Sequence, residues 1–412
     1  MRKVLLIGLV SAALPAYASA QVASASAIDA VRKDARMHVG PLYLTPTVHL
    51  KELGVDGNVF NESVQPKSDF TFTMGPKADL WVPFARRALL TTTVANDLVW
   101  YAKYDSERSV NPQFTSRAEI YLHRITLFGQ NAYLNTRERP NYEIDLRSRH
   151  TENDATAGID VRVTPKLSFE AAAVRGITRY ESDAYFDGAS LRKTLNRDTT
   201  GIRIVGRHHL TPLTTLAVRV EDLQDRFPFQ PARDSDSVRV MPGVEFKSRA
   251  LINGSAFVGY RRFTPLTPAE LPEFSGLVSH LGLSYTLLGS TTLGVTYRRD
   301  LTYSYEALQP FFVNDNVGAS IRRALGSRFD VLLSGDRFKY AYRNLIVPSA
   351  LPTALMPQRI DTTYSYSGSL GYRVGRTGRI GFGVSYTDRT SVGDSVYTTK
   401  GLRAGTILSY GF

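Results

Sequence analysis

Cysteine is absent from the 412 residues. That excludes disulfides, thiol catalysis and cysteine-based metal sites. An exported chain without disulfides must rely on a large core or a closed sheet. Beyond the N-terminus no segment offers the roughly 18 consecutive apolar residues that a membrane helix needs. Hydropathy alone would therefore indicate a soluble protein, but it is blind to barrels, whose strands turn only half their residues toward lipid. Basic blocks are missing too. The net charge is +12 and the pI about 9.7, yet the arginines are scattered through alternating segments, never more than two together, without an aromatic RNA-binding motif. Nucleic acid is not an expected partner. What the chain does have is 22 Tyr, 20 Phe and 31 Gly, the enrichment of strands with aromatic girdles at two interfaces.

The first twenty residues, MRKVLLIGLVSAALPAYASA, have a basic start (Arg2, Lys3), an apolar run and a small-residue site at Ala18-Ser19-Ala20. They read as a signal peptide cut after Ala20. Removing Arg2 and Lys3 takes the charge from +12 to +10. Thereafter period-two segments recur. Ile380, Phe382, Val384 and Tyr386 oppose Arg379, Gly381, Gly383, Ser385 and Thr387. Tyr364, Tyr366, Leu370, Tyr372 and Val374 oppose Ser365, Ser367, Ser369 and Arg373. Leu293, Val295, Tyr297, Leu301, Tyr303 and Tyr305 oppose Thr292, Thr296, Arg298 and Asp300. Such alternation describes a sheet with one apolar and one polar face. Near Gly335 the apolar face switches from Phe329, Val331 and Leu333 to Phe338, Tyr340 and Tyr342, which predicts a bulge.

Short connections near 85, 123, 164, 210, 250, 287, 324 and 375 take turns with long polar ones. Tight turns on one rim and long loops on the other are the bacterial barrel arrangement. The fold class expected is all-β: an antiparallel transmembrane barrel of about eighteen strands, with sixteen as the alternative. Residues 1–20 form the signal peptide, 21–40 a short periplasmic segment too short to plug a wide barrel, and 41–412 the barrel. The chain stops on Phe412, with Tyr410 and Leu408 alternating before it. A barrel's last strand must seal against its first, because an open edge in lipid leaves backbone groups unpaired. The terminal aromatic resembles the signal read by the bacterial barrel-assembly machinery. Outer-membrane lipid and that machinery are the partners expected.

The stretches HVGPLYLTPTVHL, GVDGNVFNE and PKSDFTFTMGPKADLWVP resemble the putative beta-barrel porin type 2 family. So do RPNYEIDLRSRHTEN, LNRDTTGIRI and RDSDSVRVMPGVEF, and the likeness runs from about residue 38 to 412. The resemblance implies an outer-membrane pore. Several relatives are associated with exopolysaccharide export, so it further implies a conduit for polysaccharide working with a periplasmic export partner. A diffusion porin for small anionic solutes is the alternative, and a structural or adhesive barrel acting through its outer loops is a third.

Selectivity in a channel comes from lumen side chains. The polar faces supply Arg117, Glu119, Asp160, Arg162, Arg203, Arg207, Arg219, Glu221, Arg298, Asp300, Arg373, Arg379 and Arg403. Arginine outnumbers carboxylate, so the expected field favours anions; for any single residue, pairing across the wall is the simpler reading. The densest charge cluster holds Arg139, Tyr142, Glu143, Asp145, Arg147 and Arg149. It reads either as an inward constriction, with Tyr142 as a stacking face, or as a solvated outer loop. Asp56, Asn58, Asn61 and Glu62 invite a calcium reading, but an Asp-Gly turn accounts for them. His208 and His209 point to opposite faces of a strand and cannot chelate together. No metal, cofactor or catalytic group is expected, since no local arrangement pairs a nucleophile with an orienting partner.

Overall fold

The alternating segments close into one continuous wall. The structure is a computed structural model describing residues 31, 35–84, 87–247, 250–268, 271–346, 358–375, 377–393 and 397–411. The segment 1–20 expected to be a signal peptide and Phe412 lie outside the described residues, as does most of 21–34. The main sheet has nineteen strands, one of which, Met37–Val39, only folds back onto Leu42–Leu44. The other eighteen form the barrel: Leu42–Asp56, Asp69–Phe84, Ala88–Tyr101, Ser109–Tyr121, Ile125–Thr136, His150–Thr164, Leu167–Tyr180, Arg197–His209, Thr214–Arg226, Ser235–Phe246, Ile252–Pro265, Phe274–Leu287, Thr291–Tyr303, Phe311–Leu325, Phe329–Arg343, Ile360–Val374, Gly378–Val392 and Thr399–Gly411. Each pairs antiparallel with its sequence neighbour, and Leu42–Asp56 also pairs with Thr399–Gly411. No edge is left in the wall, which satisfies the demand lipid makes on backbone polar groups.

The apolar rows face outward. Ile202, Ile204, Val218, Val238, Val240, Tyr366, Leu370 and Phe382 are between 43% and 58% exposed, values that in water would be a liability and in a bilayer are a lipid contact. The intervening polar residues face inward. Arg207 reaches Asp160 two strands away, and Arg239 reaches Asp300 three strands away. Only the concave face lets side chains converge over that distance. Leu408 pairs with Ile380 on the preceding strand and, across the closing seam, with Leu50, and Tyr410 is 52% exposed on the outer face.

Three local expectations are corrected. The ladders on both sides of Phe329–Arg343 run without a register shift. There is no bulge at Gly335; Phe338, Tyr340 and Tyr342 turn inward because loop residues cover them there. Leu301, Tyr303 and Tyr305 do not continue the outer row of Leu293 and Val295 but are buried in an interior apolar cluster. The segment 304–310 between the flanking strands is a further loop, hidden in the sequence by that apolar run. Register shifts instead lie in the first strand, around Glu52, which takes φ 55°, and between Arg162 and Thr164 at the turn into Leu167–Tyr180. The apolar turn at His123 is as expected, with Leu122 and Ile125 exchanging backbone hydrogen bonds.

Candidate channel lumen and its inward loop

Inside the wall, the arginines predicted to line the lumen are mostly matched by carboxylates. Arg203 donates to Glu170 at 3.0 Å, and Arg207 reaches Glu170, Glu245 and Asp160 at 2.9, 3.3 and 3.5 Å. Asp160 therefore pairs with Arg207 rather than with its neighbour Arg162. Further along, Arg239, which the sequence reading passed over, bridges Glu221 at 2.6 Å and Asp300 at 2.7 Å. Arg261 completes the fork on Asp300 at 2.7 Å. Arg117 binds Glu119 at 2.9 Å and lies over the Phe128 ring. Arg379 grips Asp330 at 2.6 Å, with Arg373 beyond at 3.8 Å. Arg403 holds Asp56 at 3.0 Å. Arg219 stacks on Phe257 with its Nε shielded and unbonded, and the Nε of Arg162 is likewise unbonded. Arg298 stands opposite Asn316 on the same face. Arg239, Arg261, Glu170, Glu245 and Asp330 were legible as polar positions of alternating strands, but their partners are set only by closure of the barrel.

The charge cluster between strands Ile125–Thr136 and His150–Thr164 does not extend into solvent. It crosses to the far side of the barrel. Tyr142 packs on Phe338 with ring centres 4.7 Å apart. Asp145 receives hydrogen bonds from Arg389 at 3.0 Å and Asn61 at 2.8 Å. Arg139 donates to the backbone oxygens of Val59 and Asp145. Arg147 bonds Glu107 at 3.2 Å, lies 3.6 Å from Asp56 and covers the Tyr101 ring. Arg149 stays on the near side, bonding Asn135 at 2.8 Å. Ser304 donates to Glu143, whose second oxygen is buried without a partner. Strands Phe329–Arg343 and Gly378–Val392, which carry Phe338 and Arg389, lie across the barrel from this loop's roots.

Other outer loops close over the same space. Loop 181–196 contributes the short helix Leu191–Leu195, whose Leu191 is fully buried. Arg233 donates to the carbonyls of Thr194, Ser304 and Glu306, tying three loops together. Tyr397 donates to Asp187 and bonds Tyr305. Ile144, Leu191, Leu195, Phe227, Phe263 and Tyr305 share one buried apolar cluster. Each such side chain is worth about 2 kcal/mol, against about 0–1 kcal/mol for an exposed ion pair. Packing therefore holds the loops, and the polar contacts fix their register. Burial pushes the Glu143 carboxyl up to about 7, opposed by the Ser304 hydroxyl and the Arg359 guanidinium. Burial also pushes Arg139 down to about 10, helped by Arg147 and Arg403.

Residues 35–408 match the family described as putative beta-barrel porin 2. No curated protein matches the chain. Among solved structures, a BenF-like porin from Pseudomonas fluorescens Pf-5 is 11% identical over 91% of this chain and 99% of that one, with a TM-score of 0.49. Pseudomonas aeruginosa OccK2 (OpdF) is 9% identical over 90% and 97%, with a TM-score of 0.48. Acinetobacter baumannii OccAB3 is 9% identical over 90% and 99%, with a TM-score of 0.45.

Proposed function

The chain belongs to the putative beta-barrel porin 2 family and is an outer-membrane β-barrel porin, and from that premise we propose a gated channel that passes an acidic polysaccharide outward. The observation that carries the gated reading is loop 137–149, clasped to the far wall through Tyr142, Glu143 and Asp145. A passive diffusion porin for small anionic solutes needs a mouth that stands open, and packed loops spanning the mouth oppose it. The acidic preference is supported by interior arginine beyond the carboxylates that match it, as at Asp330, which faces Arg379 and Arg373 together. A periplasmic export partner would deliver the polymer and help displace the loop; the barrel-assembly machinery would read the end of the last strand.

The experiment is a planar-bilayer comparison of the wild-type barrel with Asp145→Ala, which releases both Arg389 and Asn61. The wild type is expected to be shut at low voltage and the variant to conduct at least about tenfold more, as the loss of a buried charge contact implies. A wild type that conducts freely would select the diffusion porin. In cells, deletion of the gene is expected to abolish surface polymer and leave growth on small anions intact. The reverse pattern would remove the export reading.

A further inference from the structure

Four aromatic rings stand on the interior face of two adjacent strands, next to the polar side chains Asn314, Asn316, Ser334 and Asp336 on that face. Phe312 stacks on Tyr340 with ring centres 4.5 Å apart and 23° between planes, and Tyr342 lies 5.2 Å from Phe312. Phe338 continues the row toward the barrel's middle. Asn314 pairs directly with Tyr340, and Asn316 with Phe338, so two amides flank the rings on the same face. The Oδ1 atoms of Asn314 and Asn316 are shielded and accept no hydrogen bond from the protein. A shielded acceptor without a donor is costly.

The only ring laid over this wall from elsewhere, among the described residues, is Tyr142 of the inward loop. Its single hydroxyl goes to Ser365. It therefore meets the stacking preference of Phe338 and leaves both amide oxygens unmet, while the Arg359 guanidinium lies over the Tyr342 ring at 4.4 Å. A pyranose ring has the complementary chemistry. One face of C–H groups stacks on an aromatic ring, and a rim of hydroxyls donates to amide oxygens.

We propose that the wall of Phe312, Phe338, Tyr340 and Tyr342, with Asn314 and Asn316, is a saccharide-binding subsite whose Phe338 end Tyr142 covers in the closed channel. Saccharide and closed loop then compete for the same rings, and binding of one disfavours the other. The substrate itself thus biases the gate toward opening. This rests on the gated-channel reading and adds to it a binding site with a stated ligand class.

The test is calorimetry on the detergent-solubilised full barrel, with maltohexaose as a neutral probe and tri-galacturonate as an acidic one. Tyr142→Ala is expected to bind the saccharide about tenfold more tightly than wild type, because the competing ring is gone. Tyr142→Phe keeps the ring and is expected to match wild type. Adding Phe338→Ala or Asn316→Leu to Tyr142→Ala should weaken binding about tenfold again; the second change keeps all four rings in place should the first unfold the wall. Binding of neither probe to Tyr142→Ala, or equal affinity with and without these additions, overturns the subsite. Conductance is read separately. A Tyr142→Ala channel that opens yet binds no saccharide leaves the gate standing without the subsite, and one that binds saccharide yet stays shut removes the gate alone.

Discussion

Glu143 is the side chain that makes the inward loop most sensitive to conditions. It is fully buried, takes one hydrogen bond from Ser304 and has an orphaned second oxygen. Arg359, Asp361 and Glu306 also face it through space, and the first of these opposes the other two. Burial raises its proton affinity from an ordinary 4.5 to about 7. Folded protein therefore holds the proton across a range in which unfolded chain has released it. The sign follows: the contribution to stability is complete below about 4.5, declines as pH rises, and is lost above about 7. Its size is about 3 kcal/mol. Hydrogen exchange at the Ile144 amide, which is bonded to Asn141 within the same loop, reports local opening. Corrected for intrinsic rate, its protection is expected to fall about a hundredfold between pH 4.5 and 7.5. In Glu143→Gln the fall should vanish; an equal fall in both proteins assigns the titration elsewhere.

The strands themselves were the most legible elements, because a period of two is visible without knowing any partner. The seam is less so. Between the first and last strands, a Cβ on Gly54 would come within 2.0 Å of the Ala404 carbonyl oxygen, and one on Gly405 within 3.0 Å of Glu52. Glycine at these positions lets the bulged first strand close on the last. Nothing in the alternation of GLRAGTILSYG marks Gly405 as different from Gly401, which has open space around it; the distinction appears only once Glu52 is known to bulge. Gly54→Val is expected to prevent closure, so the folded, faster-migrating band on an unheated SDS gel should be lost. Gly129→Ala, with nothing within 4 Å of the added carbon, should leave it unchanged. A normal band for Gly54→Val would mean that the seam can shift to accommodate the side chain.

Across the whole molecule, the outer wall could be read from sequence and the inward packing of the loops could not, for a physical reason. Lipid imposes a repeating constraint on every strand, whereas the loops are held by single pairs far apart in the chain: Glu143 with Ser304, 161 residues on, and Asp145 with Arg389, 244 residues on. Where those loops descend, apolar residues such as Leu301, Phe312 and Tyr340 are turned inward, and the two-residue rhythm misleads. The same distinction between local pattern and global closure applies to charge. Arginine surplus was visible as a sum, but which arginines carry field rather than structure depends on partners. Arg207 serves three carboxylates and is 6% exposed, so Arg207→Ser strands buried charge and should cost about 3–5 kcal/mol of stability. Arg373 has a side chain 42% exposed and lies 3.8 Å from an Asp330 already gripped by Arg379. Arg373→Ser removes a unit charge near the periplasmic turns and leaves Asp330 satisfied. In channels opened by Asp145→Ala, a salt gradient should therefore show Arg373→Ser moving the reversal potential toward cation preference, while the thermal midpoint stays within about 2 °C. If the potential does not move, the interior field is set by the matched ladder and the surplus at this end of the lumen has no part in selecting the solute.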